Sequence, residues 1–551
     1  MNIREYLLAD VRSRRTAAIS RILFCIGVIV SISWTLYFIV ATITIPYQIE
    51  YREGASQVMT QILLKGGNPF SLEYQPLGMN NYGIIYSLAV LPFAAWLGNT
   101  LAIYRVVTCI FLALSFFLVF RTISGRNKDL ILALACSTFI LIGFAGRDGL
   151  GAFPSAMGSF LFLAAILIPF NRAFDYPGLF LSVLLALLAF YTKPYFVLSF
   201  GIVASYLFLF VSKKKGLLYG LSFLLIFALS YLVVRKIFAL YFVDTFVSNL
   251  DNATRDLSQL YAQLYELGVE FYPSIIVGLL MISLGVTTAY FGRESHKRSL
   301  PRFNFLDFEQ PLLFAPIDYF AYFLFCSISV FILILGPHIG NYMTFSYQLV
   351  VPPFFLLLFQ QLKPRTRLAL ISLPLLLFNM FLLCATLLNP GFLSQKDSAQ
   401  WAKLYGYLSR SNHILNSPVI ASALVERGLL PIDSGQTEYF YGIRSYPGNG
   451  VLGPDYHWIQ SDRVEYKASI LRSVKNAQFD LIVLGKNEWL ERFLASDLPQ
   501  HYALTATITV EMPQVDQAWT IDIWEPTSQG AGAQGYAPEF DMPLVLPESG
   551  K

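Results

Sequence analysis

Eleven long apolar runs separated by polar loops leave this chain few ways to fold. They occupy residues 22–45, 101–120, 130–144, 152–170, 179–192, 195–211, 217–234, 275–292, 319–336, 343–361 and 368–388. A hydrocarbon layer of roughly 30 Å offers the backbone no hydrogen bonds, so runs of this length are read as membrane-spanning helices. Composition agrees: 55% of the 551 residues are hydrophobic and 13% charged, more apolar surface than a soluble core hides.

Basic residues set the expected topology. Arg4, Arg12, Arg14, Arg15 and Arg21 precede the first run, which lacks a small-residue cleavage site and is read as a retained signal anchor. With that end cytoplasmic, Arg121, Arg126, Lys128, Arg172, Lys213, Lys214, Lys215, Arg293, Lys297, Arg298, Arg302, Lys363, Arg365 and Arg367 all fall in inside loops. The net charge of +4 therefore reports topology and implies no nucleic-acid partner. Counting the leftover apolar stretch 82–98 as a span would put every basic loop on the wrong side. Residues 81–98 are thus expected as a helix in the outer interface, within a long external loop 46–100. A second external loop, 235–273, carries Asp244, Asn249, Asp251, Asn252 and Asp256 and an expected amphipathic helix over 258–270.

After residue 388 the chain becomes mixed and polar. Strand-like runs at 419–423, 479–484 and 519–524, with helical stretches between, predict a small extracytoplasmic α/β domain over 389–526. A Gly, Ala, Pro and Ser-rich tail, 527–551, is expected to be loose. The fold class is then an α-helical polytopic membrane protein with a transmembrane part, 1–388, of about eleven helices. All five cysteines lie in apolar runs, and His413, His457 and His501 show no zinc-site spacing. No phosphate-binding glycine loop occurs, which argues against an ATP-driven pump, and no repeat marks two transporter halves.

Ionisable groups on the outer side are the candidates for chemistry. Glu50 and Glu53 follow the first span, and Arg147 and Asp148 share a tight turn between the third and fourth. Lys193 ends the fifth span; Arg235 and Lys236 emerge outside against the positive-inside trend; His338 sits in an outer turn. Each has a plainer reading: solvated loop charge for the glutamates, a surface ion pair for Arg147 and Asp148, snorkelling for Lys193, headgroup contact for Arg235 and Lys236, and a structural turn for His338.

Beside these readings stands the order of the motifs. Glu53-Gly54, Gly66-Gly67-Asn68-Pro69-Phe70, Pro76, Tyr82-Gly83, Arg105, Arg147-Asp148, Thr192-Lys193-Pro194, Gly340-Asn341-Tyr342 and Pro352 occur in series. The series resembles the GT-C superfamily of lipid-linked sugar transferases, such as protein O-mannosyltransferases, aminoarabinose transferases of lipid A and bacterial core-sugar transferases. The resemblance covers roughly the first 355 residues; it departs from the commonest pattern in having glutamates, Glu50 and Glu53, in the first loop.

It implies an inverting glycosyltransferase using a polyprenyl-phosphate-sugar donor and a glycan, lipid or protein acceptor, in a bacterial inner membrane. Glu53, preferred over its neighbour Glu50, would take the acceptor proton, and Asp148 would orient the acceptor. Arg147, Lys193, Arg235, Lys236, His338, Asn341 and Tyr342 would bind substrate. A divalent metal on Glu53 and Asp148 is left open. The rivals are a flippase of lipid-linked glycans, with charges along a mid-membrane path, and a non-catalytic scaffold.

Overall fold

The computed structural model describes residues 14–146, 150–249, 255–291, 308–313, 317–337, 345–362, 366–388, 395–438, 456–512 and 517–527. Helix α1 (Arg14–Ile43) is followed by two short helices, α2 (Glu53–Leu64) and α3 (Ile85–Leu97). The bundle continues with α4 (Leu101–Asn127), α5 (Leu130–Phe144), α6 (Ser155–Asn171), α7 (Tyr176–Thr192), α8 (Leu198–Tyr206) and α9 (Lys213–Ile237). It closes with α10 (Leu257–Phe291), α11 (Tyr319–Val330), α12 (Val351–Gln361) and α13 (Arg367–Leu387).

Among the described residues, α1 and α4 to α13 are the eleven helices of the eleven apolar runs. Their burial follows from their surroundings. The α5 helix is apolar all round and buried from Leu132 to Phe144 except at Leu134, as an interior helix should be. By contrast, α9 exposes Leu221, Leu225, Leu229 and Leu232, a face suited only to lipid. The 13-residue α3, about 20 Å long at roughly 1.5 Å per residue, lies outside the eleven runs and exposes Phe93, Trp96 and Leu97. One expectation needs correcting: the stretch 258–270 is no separate helix but the start of the 35-residue α10, which carries it straight into the following span.

The two ends of the bundle differ. At one, Arg21 pairs with Asp129 at 2.6 Å, Lys214 with Glu309 at 2.7 Å, and Lys215 Nζ donates to the Phe174 carbonyl at 2.9 Å. These are the basic turns of the sequence, gathered together. The other end carries the C-terminal domain.

That domain is built on a four-stranded sheet in the order β1-β2-β4-β3, where β1 is Ile414–Asn416, β2 Leu481–Gly485, β3 Tyr502–Met512 and β4 Gln517–Pro526. β1 and β2 run parallel; β4 is antiparallel to β2 and β3. Around the sheet lie α14 (Gln395–Leu408), α15 (Ala421–Glu426), α16 (Tyr456–Lys475), α17 (Trp489–Leu494) and α18 (Leu498–His501). The strand expected at 419–423 is helical instead: the Ser417 hydroxyl accepts from Val419 N and Pro418 opens the turn, a start signal for helix rather than strand.

The domain does not hang free. Ile45, Tyr47 and Ile49, alternating along the extended segment after α1, insert into one of its cores beside Trp401, Leu481, Val483, Ile521 and Ile523. Tyr47 stacks on Trp401 at 4.6 Å between ring centres, and Ser422 N donates to Gln48 Oε1 at 2.8 Å. The segment that leads to the candidate glutamates is thus part of a core of the C-terminal domain.

Candidate functional site

Arg105 organises this end of the bundle. It lies one turn into α4, fully buried, and all five of its N–H groups are used. Nη1 donates to the carbonyls of Thr42 at 3.1 Å and Ile45 at 2.6 Å, and Nη2 to that of Tyr47 at 2.8 Å. Nε and Nη2 grip the two oxygens of Glu53 at 3.2 and 3.0 Å. Glu53 also accepts from Ile49 N and Ala152 N, each at 2.8 Å. Four donors therefore fill its carboxylate, and the group ties α1, the following segment, α4 and the entry to α6 together.

Glu50 lies on the same turn, equally buried, with a different partner. Its oxygens accept from Arg52 N at 2.6 Å and Arg52 Nε at 2.5 Å. Arg52 lies 5.5 Å from the ring centres of both Tyr51 and Phe153, and its Nη1 donates to Tyr82 Oη at 3.0 Å. The Tyr82 ring in turn has Lys193 Nζ over its face at 4.6 Å.

Local sequence explains how Lys193 gets there. Pro194 disfavours a helical conformation in the residue before it, so α7 ends at Thr192 and Lys193 turns extended at φ −148°. Lys193 is 5% exposed, and its ammonium donates to Ser155 Oγ at 2.8 Å at the start of α6. Gly83 N donates to the Thr192 carbonyl at 3.0 Å, pinning Tyr82 beside the lysine. Only glycine permits this approach, since a Cβ there would lie 1.6 Å from the Tyr191 carbonyl oxygen.

Of the residues named from sequence, Glu50, Glu53 and Lys193 are thus brought to one end of the bundle. Glu50 and Lys193 are joined through Arg52 and Tyr82, and Glu53 stands behind Glu50. Arg235 and Lys236 are exposed in the last turn of α9, where the neighbouring Ile237 carbonyl accepts from Asn68 Nδ2 at 2.7 Å. Arg147, Asp148, His338, Asn341 and Tyr342 lie outside the described residues. Sequence reasoning passed over Arg52 and Ser155. Arg52 was visible as a cation between two glutamates, whereas nothing marked Ser155.

With four N–H donors on its carboxylate, Glu53 does not fit a metal ligand. Among the described residues no three of His, Cys, Asp and Glu group to hold an ion.

Neither a family model nor a curated protein matches the chain. A solved structure does: ArnT from Cupriavidus metallidurans bound to undecaprenyl phosphate, with a TM-score of 0.51 over 92% of this chain and 99% of that one, at 11% identity. The fold is GT-C-like. The match spans both the bundle and the C-terminal domain, so the GT-C-like architecture resembled by the first 355 residues extends over nearly the whole chain. At this identity the likeness is one of fold, and the chemistry has to come from the residues described above.

Chemically, the arrangement offers a buried carboxylate, a guanidinium, a phenol and an ammonium in one connected row, set where an apolar bundle meets a polar domain. Burying charged groups costs several kcal/mol per ion unless they are paired, so a connected buried row of this kind is a candidate functional site.

Proposed function

We propose that this chain is an inverting glycosyltransferase that moves a sugar from a polyprenyl-phosphate donor to an acceptor on the extracytoplasmic face, beneath the C-terminal domain. The observation that carries the reading is Lys193: a buried ammonium on a serine hydroxyl and a tyrosine face, linked through Tyr82 and Arg52 to the carboxylate of Glu50. The GT-C-like neighbour, solved with undecaprenyl phosphate, supports a polyprenyl phosphate as the ligand.

In this reading Lys193 and Arg52 hold the donor phosphate, and Glu50 is the acceptor base. The acceptor oxygen attacks the anomeric carbon from the face opposite the phosphate. As the new C–O bond forms, the bond from the anomeric carbon to the phosphate oxygen breaks, the electron pair leaves with polyprenyl phosphate, and the acceptor proton passes to Glu50. The cations act most strongly as charge grows on the leaving phosphate. Glu53, first preferred as the base, is assigned instead to holding the loop, because taking a proton would cost it one of four donors.

The residues outside the described set keep their proposed places: Asp148 orienting the acceptor, with Arg147, His338, Asn341 and Tyr342 on substrate. Arg235 and Lys236 meet the lipid headgroup region. A flippase would need its charges along a path through the bundle, and the gathering of this row at one end favours transfer. The test is native mass spectrometry of the purified protein with undecaprenyl phosphate. A one-to-one complex that is lost in Lys193→Ala supports the reading, and equal binding by both proteins counts against it.

A further inference from the structure

The mechanism above leaves one feature of the C-terminal domain unused. A cleft of about 540 Å³ opens beyond the C-terminal ends of the parallel strands β1 and β2, the place where open α/β sheets bind ligands. Its volume falls in the range of roughly 300 to 1,000 Å³ typical of small-molecule sites. Pro418, just after β1, lines it, as do Lys486 to Trp489, just after β2.

Two properties fix its chemistry. The first is an aromatic wall shared by both halves of the protein: Tyr51, from the segment bearing Glu50, stacks on Trp519 of β4 at 5.5 Å between ring centres. The second is a set of polar groups, Asp433, Glu438, Lys486 and Glu488, facing that wall. The carboxyls are less charged than their number suggests. Burial, with Asp433 nearby, pushes Glu488 up to about 8, although Ser417 Oγ donates to it at 2.6 Å; burial likewise pushes Asp433 up to about 6. Lys486 offsets Glu438. A cleft with hydrogen-bonding groups opposite an aromatic face suits a pyranose, whose C–H face packs on aromatic rings while its hydroxyls bond to acids and amines.

The cleft is also tied to the proposed site. The loop 433–438 lines the cleft with Asp433, Gly435 and Glu438, and on its other side touches the bundle. Gly435, at φ +95°, comes so near that a Cβ would lie 2.4 Å from the Tyr51 carbonyl oxygen and 3.2 Å from Arg52 Cα. Gln436 Oε1 accepts from Asn81 N, next to Tyr82. A ligand in the cleft would therefore lie against the segment that carries Glu50 and Arg52.

We infer that this cleft docks the acceptor, and that the acceptor is a glycan presenting a sugar ring to Tyr51 and Trp519. The inference rests on the transferase reading and adds the acceptor class to it. Saturation-transfer NMR on the full-length protein in nanodiscs tests it, with short oligosaccharides of glucose, galactose, mannose and N-acetylglucosamine and a lysine-rich peptide as probes.

At least one saccharide is expected to bind, tenfold or more weakly to Trp519→Ala, less weakly to Trp519→Phe, and several-fold more weakly to Glu438→Lys. Glu438 is exposed, so that last variant keeps the test meaningful should Trp519→Ala misfold. Absence of saccharide binding to wild type, indifference to all three substitutions, or a preference for the peptide would each overturn the inference. Undecaprenyl phosphate binding is read in the same samples. Lipid binding without saccharide binding removes the docking site alone, whereas saccharide binding without lipid binding strikes at the transferase reading.

Discussion

Arg105 and Glu53 form a fully buried, two-point ion pair 52 positions apart in sequence, and neither has hydrogen-bonding capacity to spare for a substrate. The pair fixes the segment from Thr42 to Glu53, which supplies both the core contacts of the C-terminal domain and the neighbouring Glu50. In the proposed transfer its role is to position Glu50.

Glu53→Gln should therefore be a stability variant. Removing one member of a buried pair leaves the other charge unpaired, at a cost of about 3 to 5 kcal/mol. The motif series alone suggests a well-folded protein with impaired transfer; the pairing predicts a clear drop in melting temperature and yield. Differential scanning fluorimetry in detergent decides, and a Glu53→Gln melting curve superimposable on wild type would refute the structural role.

Lys193 should act on donor affinity. A hydrogen bond to a charged group contributes about 1.5 to 3 kcal/mol, so Lys193→Ala should weaken binding of a short-chain polyprenyl phosphate by one to two orders of magnitude. Microscale thermophoresis at moderate salt measures this. Unchanged affinity would move the phosphate site elsewhere, with Arg235 and Lys236 next in line.

The C-terminal domain should lose stability as pH rises. Glu488 and Asp433 titrate higher in the folded domain than the usual 4.5 and 3.8, at about 8 and 6, chiefly because of burial. Between each pair of values the native state holds more protons than the unfolded one, so unfolding becomes easier with increasing pH. The effect is absent below about pH 4 and complete above about pH 8. Hydrogen exchange in β2 and α17 of the full-length protein, corrected for intrinsic rates, should show less protection at pH 8 than at pH 5, and Glu488→Gln should flatten the trend. Greater protection at pH 8 in wild type would contradict it.

The spans were readable because apolar length is a local property, and each of the eleven runs became a helix. Connections were harder. The polar face of 258–270 looked like an independent surface helix, yet nothing in that stretch stops α10 from continuing, and Pro273 is accommodated inside it. In the C-terminal domain β3 went unread although Leu504, Ala506, Ile508 and Val510 alternate with Thr505, Thr507 and Thr509. The β-branched Val419 and Ile420 suggest a strand over 419–423, yet Ser417-Pro418 starts a helix there. The candidate site was legible in its membership but not its roles. Glu53 and Arg105 stood out as separate motifs, and only their pairing shows that Glu53 is already occupied.

Topology has its own check. If the basic end of the bundle is cytoplasmic, an alkaline phosphatase fusion after Lys215 should be inactive and one after residue 400 active, with green fluorescent protein giving the reverse. Active phosphatase at Lys215 would invert the site assignment.

The central claim is that Glu50 takes a proton from the acceptor while a sugar leaves a polyprenyl phosphate held by Lys193. Single-turnover release of polyprenyl phosphate tests it most directly, using labelled polyprenyl-phosphate-sugar donors, an oligosaccharide acceptor, and wild type beside Glu50→Gln. Wild type should release the lipid phosphate with inversion at the anomeric carbon, and Glu50→Gln, compared at saturating donor, should be slower by at least about a hundredfold. Equal rates in the two proteins would contradict the account.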